Sequence, residues 1–107
     1  MTLLSKIADG YESGEYVWVQ NDYGDTKQDM VDNPERTPRF CPIGALWELG
    51  NFTPASEVAE RALHDAARGC GYPTYTLYND APDRTLDEVL EFMRAAELSI
   101  AEGLDIR

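Results

Sequence analysis

The chain has 107 residues, 20 of them acidic against 9 basic, for a formal net charge of −11. That length supports one domain with its own core, and the hydrophobic share of 43% is too close to the globular average for a disordered chain. Because the few basic residues are scattered, neither phosphate-mediated nucleic-acid binding nor attachment to an acidic membrane surface is expected.

No apolar run approaches the roughly 20 residues that span a bilayer. Met1-Thr2-Leu3-Leu4-Ser5-Lys6 lacks the regions of a signal peptide, so a cytoplasmic protein is expected. Cys41 and Cys70 suit a reducing compartment as separate thiols.

In chain order, Thr2 is placed to cap a helix from Leu3 to about Glu12, with Leu4, Ile7, Ala8 and Tyr11 on its apolar side. Glu15 to Gln20 is aromatic, β-branched and alternating, which predicts a short strand. Asn21 to Asp25 predicts a turn, and Thr26 to Met30 a returning strand, giving a hairpin that must lean on helices. Val31 to Pro38 is a polar loop with two prolines.

The densest apolar stretch follows, from Arg39 to Gly50. It predicts a helix with two possible starts, Thr37-Pro38 or Cys41-Pro42 one turn later, the favoured reading being one continuous element with an irregular first turn, ended in either case by Gly50 in a left-handed conformation. Trp47 belongs to its core face. Gly44 and Ala45 make a notch where another backbone can come close, and the C-terminal part of the chain is expected to fill it.

Thr53-Pro54 restarts a helix whose apolar stripe is Ala55, Val58, Ala59, Ala62, Leu63 and Ala66, stopped by Gly69 and Gly71. Tyr72 to Tyr78 is expected to be extended or an irregular aromatic loop, and Asn79 to Asp83 a turn. Thr85 with Glu88 is a capping box for a last helix bearing Leu86, Val89, Leu90, Met93, Ala96 and Ile100, running down to Gly103. The fold class expected is mostly α: four helices in a single domain spanning residues 1–107, with a small β-hairpin or ribbon on one side.

Three constellations bear on chemistry. Cys41 stands near a helix start, where a thiol can be activated, and with His64 and Asp80 it would make an acyl-transfer triad. The competing expectation is a buried Cys41 and a solvated His64, since His64 lies among Arg61, Asp65 and Arg68. Cys41, Cys70 and His64 match no zinc spacing, and Asp22, Asp25, Asp29 and Asp32 lack the glycine position of a calcium loop, so no metal and no cofactor is expected. Trp18, Tyr72, Tyr75 and Tyr78 are the candidates for an exposed aromatic interaction patch.

Two motifs, Cys41-Pro42-Ile43-Gly44-Ala45-Leu46 and Tyr78-Asn79-Asp80-Ala81-Pro82-Asp83-Arg84-Thr85 followed by Glu88-Val89, resemble those of a family of small uncharacterised proteins from actinobacteria and their phages. That family pairs a Cys-x-x-Gly-Ala-Leu helix with a Trp-Asn-Asp-Ala-Pro-x-Arg-Thr turn, and Tyr78 stands here in place of the tryptophan. The resemblance covers most of the chain from Phe40 onward and, more loosely, the first helix. It implies no activity, and it implies that Cys41, Gly44, Asn79, Asp80 and Thr85 form one connected constellation.

The function expected is a non-enzymatic acidic module that binds a cellular protein, with homo-oligomers left open. The alternatives are a small-ligand binder or enzyme using Cys41, His64 and Asn79-Asp80, and, more weakly, a nucleic-acid mimic.

Overall fold

Thr2 accepts a hydrogen bond from the Ser5 amide and so starts α1, Leu3–Ser13, which buries Leu4, Ile7, Ala8 and Tyr11. The structure is a computed structural model that describes residues 2–51 and 53–106. After α1 the chain enters β1, Val17–Trp18, a strand much shorter than the alternation of residues 15–20 predicts.

The hairpin does not form. Thr26 accepts from the Asp29 amide while the Asp29 carboxylate accepts from the Thr26 amide, a reciprocal cap that starts α2, Lys27–Asp32, where a returning strand was expected. The partner of β1 is instead β2, Arg39–Phe40, in parallel, with Val17 opposite Arg39 and Trp18 opposite Phe40. Gly24 bridges Phe40 from the other side in antiparallel sense, so Phe40 lies between two passes of the chain.

Entry at Pro38 fails for a physical reason. A residue before proline is pushed out of the helical region, and Cys41 accordingly stays extended at φ −80° and ψ 160°, serving as N-cap of α3, Pro42–Gly50. Asn51, not Gly50, takes the left-handed position at φ 52°. Gly50 is small because a Cβ there would lie 2.8 Å from side-chain carbons of Leu3 and Ser56.

α4, Pro54–Gly69, buries Ser56, Ala59, Leu63 and Ala67, so its buried stripe is rotated from the expected one and leaves Ala55 and Val58 exposed. The segment expected to be extended holds a short helix, α5, Tyr75–Asn79, capped by Thr74 through the Leu77 amide. α6, Leu86–Ile106, begins at the Thr85–Glu88 capping box and continues past Gly103.

The architecture is therefore mostly α, with six helices and one two-stranded parallel sheet among the described residues. α6 lies against α1 and α4, and α3 against α1 and α4. Leu4, Ile7, Phe40, Ile43, Leu46, Leu63, Tyr75, Val89 and Met93 are fully buried in one cluster, and burying each aliphatic or Phe side chain stabilises by about 2 kcal/mol. Arg94 bonds Asp9 and Glu12, and Glu97 accepts from Thr2 and Ser5, fixing α6 beside α1. Trp47 is half-buried at the rim: its ring leans on Tyr23, and its indole donates to Glu60 at 2.8 Å.

Candidate functional site

Residues 18–25 form a ribbon that passes between the two sequence motifs, and each motif holds it. At the first hold Asn79, 1% exposed at the end of α5, accepts at Oδ1 from Trp18 Nε1 at 2.6 Å and from the Tyr75 hydroxyl at 3.3 Å. Its Nδ2 donates to the Val19 carbonyl and to Asp80 Oδ1, both at 3.0 Å. A carboxamide has two donor and two acceptor positions, so Asn79 is saturated. Around it, Gln20 Nε2 donates to the carbonyls of Asn79 and Ala81, and Asp80 Oδ1 accepts from the Asn21 amide at 2.8 Å.

At the second hold the contact is backbone on backbone. The Tyr23 carbonyl accepts from the Cys41 amide at 3.1 Å and rests on Gly44, where a Cβ would stand 2.0 Å from that oxygen. Gly24 follows at φ 103°, where a Cβ would meet the Arg39 carbonyl at 2.1 Å. The glycine notch is thus filled by the ribbon and not by the C-terminal part of the chain. Just beyond, Asp25 is 4% exposed and accepts from the Arg39 amide at 3.0 Å and from Arg36 at 2.7 Å, with the Arg39 guanidinium at 3.5 Å.

The five residues expected to form one constellation form three local groups. Cys41 accepts at Sγ from the Gly44 amide at 3.4 Å, Asn79 bonds Asp80, and Thr85 bonds Glu88. The ribbon joins the first two groups, through Asn21 to Asp80 and through Tyr23 to Cys41. Arg84 joins the third, donating from Nε to the Tyr78 carbonyl at 3.0 Å and lying 3.7 Å over the Tyr78 ring.

The aromatic patch needs correction. Tyr75 and Tyr78 are buried and pack on Phe92 with ring centroids 5.5 and 4.1 Å away, because α5 turns them inward. Trp18 is half-buried with its indole committed to Asn79, and Tyr72 is half-buried with its hydroxyl accepting from Arg84 at 3.0 Å. Of the large apolar side chains that do reach solvent, Tyr23, 46% exposed, lies in the ribbon, Val17, 45% exposed, directly precedes it, and Leu77, 51% exposed, is on α5.

The thiol, the imidazole and the Asp80 carboxylate each hold different partners. Burial pushes the Cys41 thiol up from its ordinary 9.0 to about 11, so it is protonated at neutral pH and is a poor nucleophile. His64 accepts at Nδ1 from the Tyr75 amide at 3.0 Å and turns Nε2 toward Glu60 at 3.5 Å, and so is half-buried and bonded where a solvated side chain was expected. Asp80 is occupied by Asn21 and Asn79. Cys70 is exposed while Cys41 is buried, and among the described residues no group of three or more His, Cys, Asp or Glu is arranged to hold a metal ion.

The acidic segment is divided in the same way. Asp22 accepts from the Gly24 amide, Asp25 faces the arginines, Asp29 caps α2, and Asp32 accepts from Gln28. Bonds to Thr26 hold the Asp29 carboxyl below its usual range, and bonds to Thr85 do the same for Glu88. No helix among the described residues is long and apolar enough to cross a membrane.

Sequence reasoning missed Gln20, Tyr23, Asp25 and Arg84 as holding residues. The available signals were the left-handed preference of Asn21 and Gly24 around Tyr23, and Arg84 one residue before a cap.

Residues 14–98 match DUF6197, a family of unknown function, and the chain belongs to it. The matched region starts directly after α1 and takes in the ribbon, the acidic segment and both motifs. No curated protein and no solved structure matches the chain.

Proposed function

We propose that the chain is a non-enzymatic acidic interaction module that docks a basic protein partner. Its setting, on the resemblance of its two motifs, is the cytoplasm of actinobacteria or of the cells their phages infect. The observation that carries this reading is the face built by the ribbon: Asn21, Asp22, Tyr23, Thr76 and Asp80 line an open groove of about 410 Å³. Exposed Tyr23 offers apolar contact beside the carboxylates of Asp22 and Asp80. An aromatic anchor rimmed by one sign of charge gives both area and steering toward a cationic surface. The excess of carboxylates disfavours direct nucleic-acid and acidic-membrane contact.

An enzyme built on Cys41, His64 and Asn79-Asp80 has less behind it, because each of these groups is already engaged elsewhere. The test is affinity capture from an actinobacterial lysate with the wild-type chain and a Tyr23→Ser variant. A basic protein retained at low salt, released as salt rises and lost with the variant supports the reading. Equal retention by both chains, or nothing above background, overturns it.

A further inference from the structure

The single histidine occupies a position that neither the ribbon nor the proposed docking face uses. α5 has only five residues, and its first amide, that of Tyr75, donates to His64 Nδ1 at 3.0 Å, while the Leu77 amide donates to Thr74 Oγ1. A backbone N–H can only donate, so Nδ1 must carry a lone pair and the imidazole proton of the neutral ring rests on Nε2. Nε2 in turn faces Glu60 Oε2 at 3.5 Å, and Glu60 Oε1 accepts from the Trp47 indole at 2.8 Å.

We propose that His64 is a proton-operated latch on α5: neutral, it holds the Tyr75 amide; protonated at Nδ1, it releases that amide and loosens the helix that carries Asn79. When a solvent proton occupies Nδ1, two N–H groups point at each other and the bond to Tyr75 cannot persist. The imidazolium is then drawn to Glu60 and to Glu57 in the same groove, and opposed by Arg61 and Arg68 of α4. From α3 the facing group is Trp47, which reaches the imidazole through Glu60; from α5 it is the Tyr75 amide, the phenol of Tyr75 being turned to Asn79.

The effect is local before it is global. The Tyr75 ring is buried against Phe92 and Tyr78, so the core keeps its hold on α5, and the loss is one helix-capping bond. Its consequence runs along α5 to Asn79, whose amide holds Trp18 and Val19 of the ribbon. The inference rests on the imidazole geometry alone, so it stands or falls separately from the docking function.

The test is amide hydrogen exchange by NMR on the full chain, corrected for intrinsic rates, with the His64 ring nitrogens followed in the same samples. Above the titration of His64 the ring is expected as the Nε2–H tautomer with Nδ1 unprotonated. As His64 protonates, the protection factor of the Tyr75 amide is expected to fall about tenfold, on the scale of one hydrogen bond, while Ile7 in α1 is unchanged. In His64→Gln, whose side-chain oxygen can accept but does not titrate, that step is expected to vanish. An Nδ1–H tautomer at high pH, or a Tyr75 protection factor that stays constant while the wild-type ring titrates, overturns the proposal. So does a fall of equal size in His64→Gln, which assigns the effect to the carboxylates. Should His64→Gln fail to fold, the two wild-type readouts decide.

Discussion

The Gly44 notch and the Asn79 amide hold the same ribbon by opposite means. At Gly44 the hold is an empty space: the Tyr23 carbonyl lies where any side-chain carbon would stand, and the hydrogen bond it accepts, from the Cys41 amide, is backbone to backbone. At Asn79 the hold is a side chain whose two donors and two acceptors are all occupied, three of them by groups outside its own turn or across α5. The first site constrains size and tolerates no chemistry question; the second constrains chemistry at fixed size. One of the two sequence motifs therefore acts by what it lacks and the other by what it supplies.

That contrast is broken most strongly at Asn79. Asn79→Ala leaves the half-buried Trp18 indole and Val19 carbonyl and the buried Tyr75 hydroxyl without this partner, and a stranded group costs about 1–3 kcal/mol. The expected loss in urea unfolding is about 4 kcal/mol, with Asn79→Asp nearly as damaging although its shape is kept, because it cannot donate to Val19. If size were the constraint at this site too, Asn79→Asp would match wild type.

Gly44→Ala tests the other hold. Adding one carbon 2.0 Å from the Tyr23 oxygen forces the ribbon or α3 to move, and overpacking of this kind costs about 1–3 kcal/mol. The Tyr23–Trp47 ring contact should change with it, read as a shift in tryptophan fluorescence. A variant of wild-type stability would remove the notch from the account.

Asp25 extends the comparison to a charged hold. Its carboxylate is buried, but the guanidinium groups of Arg36 and Arg39 are 42% and 49% exposed, so solvent screens the pair. Asp25→Ala is expected to cost about 2 kcal/mol, mainly through the stranded Arg39 amide, and added salt should weaken the wild-type hold slightly while leaving the Asn79 hold untouched.

The smallest effect is confined to alkaline solution. Burial raises the Cys41 thiol from 9.0 to about 11, so the folded state keeps a proton that the unfolded chain releases earlier. The corresponding stability is fully present below pH 9 and is lost as pH rises toward 11, about 1 kcal/mol being gone by pH 10. Cys41→Ala should flatten that part of the stability profile by this amount against wild type. The buried phenols of Tyr11 and Tyr75, raised first by desolvation and further by the neighbouring Cys41, remain in both chains.

The large helices were legible because their signals are local: Thr2, Thr53-Pro54 and the Thr85–Glu88 pair each mark a start within one turn. The same local rule, applied to Thr26 and Asp29, would have found α2, but the aromatic run before it favoured a hairpin. The parallel pairing of Val17–Trp18 with Arg39–Phe40 joins segments about twenty residues apart, and nothing in either segment names the other. Rotation of the α4 stripe from Ala55 and Val58 to Ser56 and Ala67 follows from the neighbours of α4, not from its own periodicity. At the candidate site, Cys41, Gly44, Asn79, Asp80 and Thr85 were expected as one constellation and stand in three local groups, because Asn21 and Tyr23, through which the ribbon reaches Asp80 and Cys41, carried no motif.

The central claim is that Gly44 and Asn79 act on one shared ribbon, and a double-mutant cycle of Gly44→Ala with Asn79→Ala in urea unfolding addresses it directly. If each substitution frees the ribbon, the second costs less once the first is made, and the double variant should be about 1 kcal/mol or more stabler than the sum of the single losses implies. Strict additivity would mean that the two motifs support separate parts of the fold.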